Sequence, residues 1–306
     1  MGKIVLIACT NVGRSLIETI ENSRKLQGVE LSGVVNLKTE IAIEKANYDS
    51  YVDLVKKYNL NMFYCENIND AECLDFIRKC SPDIIIQSGW SQKFSEELLN
   101  IPTYACIGEH PAPLPKGRGA ACVNWAIISG EREWGDTFFK MEMKYDTGLI
   151  YSQEYFNIEI YDDVKTVYDK VAQAATTAIE KHLYDWTEGR LEGYKQDDSK
   201  ATHYSRRRPS DGKLDLRQAA IDIYNQIRGQ ARPYPGAYIE LLDGRKMYIW
   251  KARLGEKCAD YERKLKCGDG NSIIIQRVQI EGEPEKWSGD LVSKDWSFEE
   301  SCLLPC

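Results

Sequence analysis

Short apolar runs alternate with helical stretches over the first hundred residues, and this alternation constrains the fold more than any other feature. Residues 3–9 (K-I-V-L-I-A-C) and 82–88 (P-D-I-I-I-Q-S) read as strands buried on both faces. Between them the pattern predicts a helix over 15–25, a strand over 30–36, a helix over 51–58, a short strand over 62–64 and a helix over 70–79. Strands separated by helices pair in parallel, so a mostly parallel, twisted sheet is expected. Such sheets bind ligands at the carboxyl ends of their strands, here at Gly89-Trp90 and at the segment leading to His110. The turn after the first strand, Thr10 to Arg14, carries one glycine and no G-x-G-x-x-G, so it gives no support to a dinucleotide cofactor. Gly13 reads as relief for a strand-to-helix turn.

A long helix over 162–182 closes this first domain. The polar stretch 193–201 (G-Y-K-Q-D-D-S-K-A) reads as a linker, and a helix follows over 218–230. Strands are expected over 238–242, 246–252, 267–270 and 272–280, with Asp243-Gly244 as a turn. They make a small β-domain, expected as an open barrel. The implied boundaries are 1–192, 193–234 and 235–306.

Charge and composition narrow the partners. A net charge of −7 argues against a polyanionic substrate, because phosphate neutralisation favours a basic surface. No apolar run approaches a membrane span and no basic-then-apolar leader opens the chain, so no membrane partner and a cytoplasmic setting are expected. The ten cysteines (9, 65, 73, 80, 106, 122, 258, 267, 302 and 306) include no C-x-x-C pair. Reduced, mostly buried thiols and no metal are the reading.

Residues 106–150 hold the chemistry. His110 is one of only three histidines in 306 residues. A turn rich in proline and glycine follows it (Pro111, Pro113, Pro115, Gly117, Gly119), then an apolar helix over 120–129. A strand over 136–143 delivers Asp146 into a D-T-G turn. Such a stretch can bring an imidazole and a carboxylate together across a cleft. His182 and His203 lack this context and read as surface residues.

In order and spacing this stretch resembles the folate-dependent formyltransferases. Their signature is a histidine, a Leu-Pro turn, an Arg-Gly pair, a W-A-I-like helix, a G-x-T strand and D-x-G. Here these are His110, Leu114-Pro115, Arg118-Gly119, Trp125-Ala126-Ile127, Gly135-Asp136-Thr137 and Asp146-Thr147-Gly148. The C-terminal half resembles those members that act on methionyl-tRNA or nucleotide-linked amino sugars. It carries their R-R-x-P-x-D-G turn at Arg206 to Gly212, an I-R-A-like helix end at Ile227-Arg228-Gly229, and a P-Y-P-G-A-F-like turn at Pro233 to Tyr238. Glycinamide ribonucleotide formyltransferases generally lack this region.

The resemblance implies a Rossmann-like α/β domain followed by an OB-like β-barrel, with 10-formyltetrahydrofolate as co-substrate. It implies His110 as acid/base, with Asp146 orienting the imidazole and stabilising its cation. The folate segments would be Gln92-Lys93-Phe94 and Glu142-Met143-Lys144-Tyr145-Asp146, with Trp90 as an apolar wall. One departure stands out. The family has asparagine two residues before the histidine, polarising the formyl oxygen, and this chain has Gly108. Losing an oxyanion donor costs about 10²–10³ in rate. Three readings stay open: a nearby backbone N–H takes over, protonated His110 carries the oxyanion alone, or the enzyme is slow. A non-catalytic binder of folate or sugar nucleotide is the corresponding alternative.

Methionyl-tRNA formyltransferases typically carry a basic loop after the second strand. Here residues 36–50 hold two lysines against two glutamates and an aspartate. A nucleotide-linked amino sugar is therefore the expected acceptor, met by Arg206, Arg207, Arg208, Arg228 and Tyr234. The arginines could equally stabilise the domain junction. Bacterial surface-polysaccharide assembly is the pathway this implies, and a homodimer is compatible with it.

Overall fold

The computed structural model describes residues 1–42, 45–291 and the backbone of 303–304; Cys302 and Cys306 lie outside the described residues. The strands are β1 Gly2–Ala8, β2 Val29–Leu37, β3 Met62–Cys65, β4 Ile84–Ser88, β5 Ala105–His110, β6 Arg118–Gly119, β7 Glu133–Lys140, β8 Ile150–Asn157, β9 His203–Tyr204, β10 Ala237–Glu240, β11 Lys246–Arg253, β12 Arg263–Lys266, β13 Ser272–Ile280, β14 Lys286–Trp287 and β15 Leu303–Leu304. The helices are α1 Asn11–Asn22, α2 Thr39–Ala42, α3 Val52–Tyr58, α4 Ala71–Cys80, α5 Glu96–Leu99, α6 Cys122–Ile128, α7 Val164–Thr187 and α8 Ala220–Gly229.

The chain forms two compact units. The first comprises Met1–Gly119, Glu133–Asn157 and Tyr168–Tyr204. Its seven-stranded sheet has the order β3-β2-β1-β4-β5-β7-β8. The first five strands pair in parallel, and β7 and β8 return antiparallel. Helices cover both faces, which is why β1 and β4 are apolar at nearly every position. Val5, Ile7 and Ile85 pack against Leu74 and Ile77 of α4 and Leu98 of α5. On α1, Val12, Leu16, Ile17 and Ile20 are buried at helical spacing.

The second unit comprises Ala120–Arg132, Ile158–Val167 and Ser205–Cys306. Its antiparallel sheet runs β10-β11-β13-β12-β15, with β14 on β13. Ile223 and Ile227 of α8 pack on Met247, Ile249, Ile273 and Ile275.

Several expectations shift. The strand expected over 267–270 is a turn in which Gly270 takes φ +82°; the paired strand is β12, immediately before it. The strand expected over 136–143 is β7, three residues earlier. Strand β5 underlies the segment leading to His110, expected at a strand's carboxyl end without a range because Gly108-Glu109-His110 breaks the apolar run, and β8 is unexpected because it alternates polar residues at a sheet edge. Gly13 lies inside α1, and a Cβ there would sit 2.2 Å from the Tyr51 hydroxyl. That hydroxyl donates to Thr10 O at 2.6 Å and accepts from Thr10 N at 2.8 Å, so Gly13 makes room for a buried tyrosine rather than for a turn. Among the described residues seven cysteines are free and buried, whereas Cys258, in irregular chain between β11 and β12, is disulfide-bonded. Among the described residues, no helix is long and apolar enough to cross a membrane.

Candidate active site

The site is built on the carboxyl end of β5. Strand alternation sends Glu109 to one face, where its Oε2 accepts from Ser88 Oγ at 2.7 Å. Gly108 and His110 face the other way. His110 is buried, and its Nε2 lies 2.8 Å from Gly117 O. A carbonyl only accepts, so Nε2 is the donor; in the neutral ring Nδ1 then carries the lone pair. The turn after His110 is tied down at several points. Trp134 Nε1 donates to Pro111 O at 2.8 Å. Thr137, opposite His110 in register, donates to Ala112 O at 2.6 Å and accepts from Leu114 N at 3.2 Å. Gln153 Nε2 donates to Leu114 O at 2.7 Å. Gly117 has φ +80°, and a Cβ there would meet Ala112 Cβ at 2.8 Å and the Trp134 ring at 3.0 Å.

Asp146 sits in the left-handed region at φ +56°. Its Oδ2 accepts from Gly119 N at 2.8 Å. Gly117 O orients the imidazole ring, and the Asp146 carboxylate is held by a backbone amide. Histidine and aspartate thus attach to the residues on either side of Arg118.

Arg118 is itself buried. Its Nε and Nη2 donate to Gln196 Oε1 at 3.1 and 2.7 Å, and Nη2 also reaches Asp198 Oδ1 at 2.7 Å. The hydrogen bond and charge of Arg118 hold the Asp198 carboxyl below its ordinary range. Gln196 Nε2 donates to Asp146 O and Gly148 O, both at 2.9 Å. Gly117 N donates to Thr202 Oγ1 at 2.8 Å, and Arg118-Gly119 pairs in parallel with His203-Tyr204. Residues 194–204 are therefore a strap across the site, not a slack linker. Arg118 lies within the recognised pattern, but Gln196 and Thr202 carry no motif. A polar stretch reads as solvated chain, and its long-range partners leave no local trace.

At Gly108, a Cβ would lie 2.7 Å from Phe139 Cε1 and 3.2 Å from Met141 Cγ. The Phe139 ring, buried with Leu114 and Ile150, occupies the space an amide side chain would need.

The two expected folate segments come together, with Lys93 Nζ 5.8 Å from the Tyr145 ring centroid. Glu142, Met143, Lys144 and Tyr145 are exposed. Trp90 and Phe94 belong to the core. Among the described residues the buried Trp90 Nε1 finds no hydrogen-bond partner. Gln92 is spent structurally, accepting from Ile68 N at 2.8 Å and donating to Glu66 O at 2.7 Å.

The expected phosphate arginines all lie in the second unit. Arg206 and Arg208 are exposed. Arg207 stacks on Trp125 at 4.5 Å and donates to Asp211 O at 2.8 Å, locking the R-R-x-P-x-D-G turn. Burial lowers its pKa. Arg228 is buried, with its fork on Asn225 Oδ1, Glu159 O and Asp162 O. These partners all belong to the second unit. Tyr234 is half-buried in its proline turn.

Residues 3–183 match the family described as formyl transferase, and 207–288 the formyl transferase C-terminal domain. The methionyl-tRNA formyltransferase of Caldanaerobacter subterraneus subsp. tengcongensis is 34% identical over 250 residues, 78% of this chain and 80% of its own. The bifunctional polymyxin resistance protein ArnA of Wigglesworthia glossinidia brevipalpis is 33% identical over 227 residues; the match takes in 74% of this chain but only 35% of that relative's length. Among solved structures, the N-formyltransferase from Helicobacter canadensis, in complex with folinic acid and dTDP-3-aminofucose, has a TM-score of 0.65 at 17% identity, over 90% of this chain and 99% of its own. That likeness is one of fold.

Proposed function

We propose that this chain, which belongs to the formyl transferase family, moves the formyl group of 10-formyltetrahydrofolate onto the primary amine of a nucleotide-linked amino sugar. The donor supplies an activated one-carbon unit whose transfer forms a C–N bond to the amine and breaks one to the folate nitrogen. The residues present fit it. The partnerless indole N–H of Trp90 calls for an acceptor, and the two segments joined by Lys93 and Tyr145 supply backbone donors and acceptors for a pterin.

His110 takes the proton that the attacking amine must lose. With Nε2 oriented by Gly117 O, the same ring returns the proton to the departing nitrogen. Asp146, fixed by Gly119 N, stabilises the imidazolium by charge.

The choice of acceptor rests on the loop after β2. Both of its lysines are engaged internally. Lys38 Nζ pairs with Glu66 at 2.7 Å, and Lys45 Nζ donates to Gly89 O at 2.7 Å and to Cys9 Sγ at 3.2 Å. Lys38 is neutralised by Glu66 in an exposed pair and Lys45 is turned onto Gly89 O, which leaves little net positive charge here for an RNA backbone, and the acidic balance of the chain agrees. Methionyl-tRNA is the second reading, favoured by the 34% identity to a methionyl-tRNA formyltransferase. A competition assay separates them: with both acceptors present, the formyl group goes to the sugar amine, and initiator tRNA is not retained at moderate salt. Salt-sensitive retention with formylation of the methionyl amine would reverse the choice.

A further inference from the structure

We infer that Gln196 is a positioning residue for the His110–Asp146 pair, acting from the strap of residues 194–204. The inference rests on the reading of those two residues as the catalytic pair.

One carboxamide closes a ring of hydrogen bonds. Gln196 Nε2 donates to Asp146 O and Gly148 O at 2.9 Å each. Its Oε1 accepts from Arg118 Nε at 3.1 Å and Nη2 at 2.7 Å. Arg118 is bonded in sequence to Gly119, whose amide holds the Asp146 carboxylate. Both amide protons and both lone pairs of Gln196 are therefore used, each on the site's own turns.

The geometry needs such a clamp. Asp146 is a non-glycine residue at φ +56°, a conformation that persists only when its surroundings over-determine it. Gly148 is packed so closely that a Cβ would lie 1.9 Å from Lys140 O, which blocks relaxation on that side. Gln196 secures the other side by satisfying both carbonyls of the turn. On the far side of Arg118, Gly117 O sets the His110 ring, so a shift of Arg118 displaces both catalytic groups. The strap has independent anchors: Tyr194 and Ile150 exchange backbone hydrogen bonds at 2.9 and 3.0 Å, and Thr202 Oγ1 holds Gly117 N. Gln196 thus hangs between two fixed points, and its side chain can be altered without freeing the strap.

The test uses the full chain as wild type, Gln196→Met, Gln196→Glu and His110→Ala, measuring kcat, KM for donor and acceptor, and melting temperature. Gln196→Met keeps the length and deletes all four bonds. Gln196→Glu keeps an acceptor for Arg118 and presents an anion to two carbonyls. Misplacing a reacting group by about 1 Å costs roughly 10²-fold, so kcat is expected to fall about ten- to a hundredfold in both variants, with KM within about twofold. The glutamate, which retains the Arg118 pairing, does not rescue. If Gln196→Met does not fold, Gln196→Glu gives the reading alone. A kcat within about twofold of wild type in the folded variants, with His110→Ala inactive, overturns the positioning role while leaving the site reading in place. Turnover retained by His110→Ala removes the pair itself and the inference with it.

Discussion

At Gly108 the side chain is missing for a reason that lies one strand away. Its Cβ position is 2.7 Å from Phe139 Cε1, and β5 and β7 pair with Gly108 opposite Phe139. Glycine and phenylalanine are a matched pair, so putting an asparagine at 108 overpacks the site at a cost of about 1–3 kcal/mol. Gly108→Asn is expected to lower the melting temperature and turnover together rather than to raise activity. Phe139→Ala alone leaves a cavity, but combined with Gly108→Asn it costs less than the two single changes summed. A double-mutant cycle by thermal denaturation measures that coupling. The absence of the amide was visible in the sequence. The ring that fills its place was not, because the facing position depends on a register that no local pattern encodes. Glu109 is similar: alternation along β5 sends it to the opposite face, which becomes clear only once 105–110 is known to be a strand.

Among the elements, the turn 111–119 and the strap do the positioning. Gly117 stands at φ +80° against Ala112 and Trp134, and its carbonyl sets the His110 tautomer. Gly117→Ala should destabilise the protein by about 1–3 kcal/mol and reduce kcat, since the carbonyl must move off Nε2. Denaturant midpoints and turnover measured on the same samples check this, and unchanged kcat would separate the turn from catalysis. The helices and buried strands of the first unit were legible because apolar spacing encodes them directly. The same logic marks no strand range at β5, where Gly108, Glu109 and His110 replace apolar residues, or at β8, an edge strand with polar alternation. It also read 193–201 as a linker, because polarity there reflects clamping through Gln196 and Asp198 as much as exposure.

For the molecule as a whole, stability follows in part from how charge is placed. In the second unit the buried Glu262 carboxylate takes bonds from Arg253, Gln276 and Ala259 N. The Arg253 hydrogen bond is the main cause that lowers its pKa from 4.5 to about 2. A depressed carboxyl pKa adds stability that is fully present above about 4.5 and lost as pH falls through about 2. The contribution is on the order of 2–3 kcal/mol. Acid titration of stability should therefore show wild type and Glu262→Gln far apart near neutrality and converging over that window. A constant gap would deny Glu262 the role. The acidic balance was plain from composition. The internal use of Lys38 and Lys45, which bears most on the acceptor, needed the fold.

The account depends on one imidazole moving a proton for an incoming sugar amine. The direct measurement is tetrahydrofolate release from 10-formyltetrahydrofolate in the presence of nucleotide-linked amino sugars, for wild type and for His110→Ala. Wild type should release one tetrahydrofolate per amine formylated, with nearly all turnover lost in the variant. Equal rates in the two proteins, or no formylated sugar from wild type with any amine tried, would contradict it.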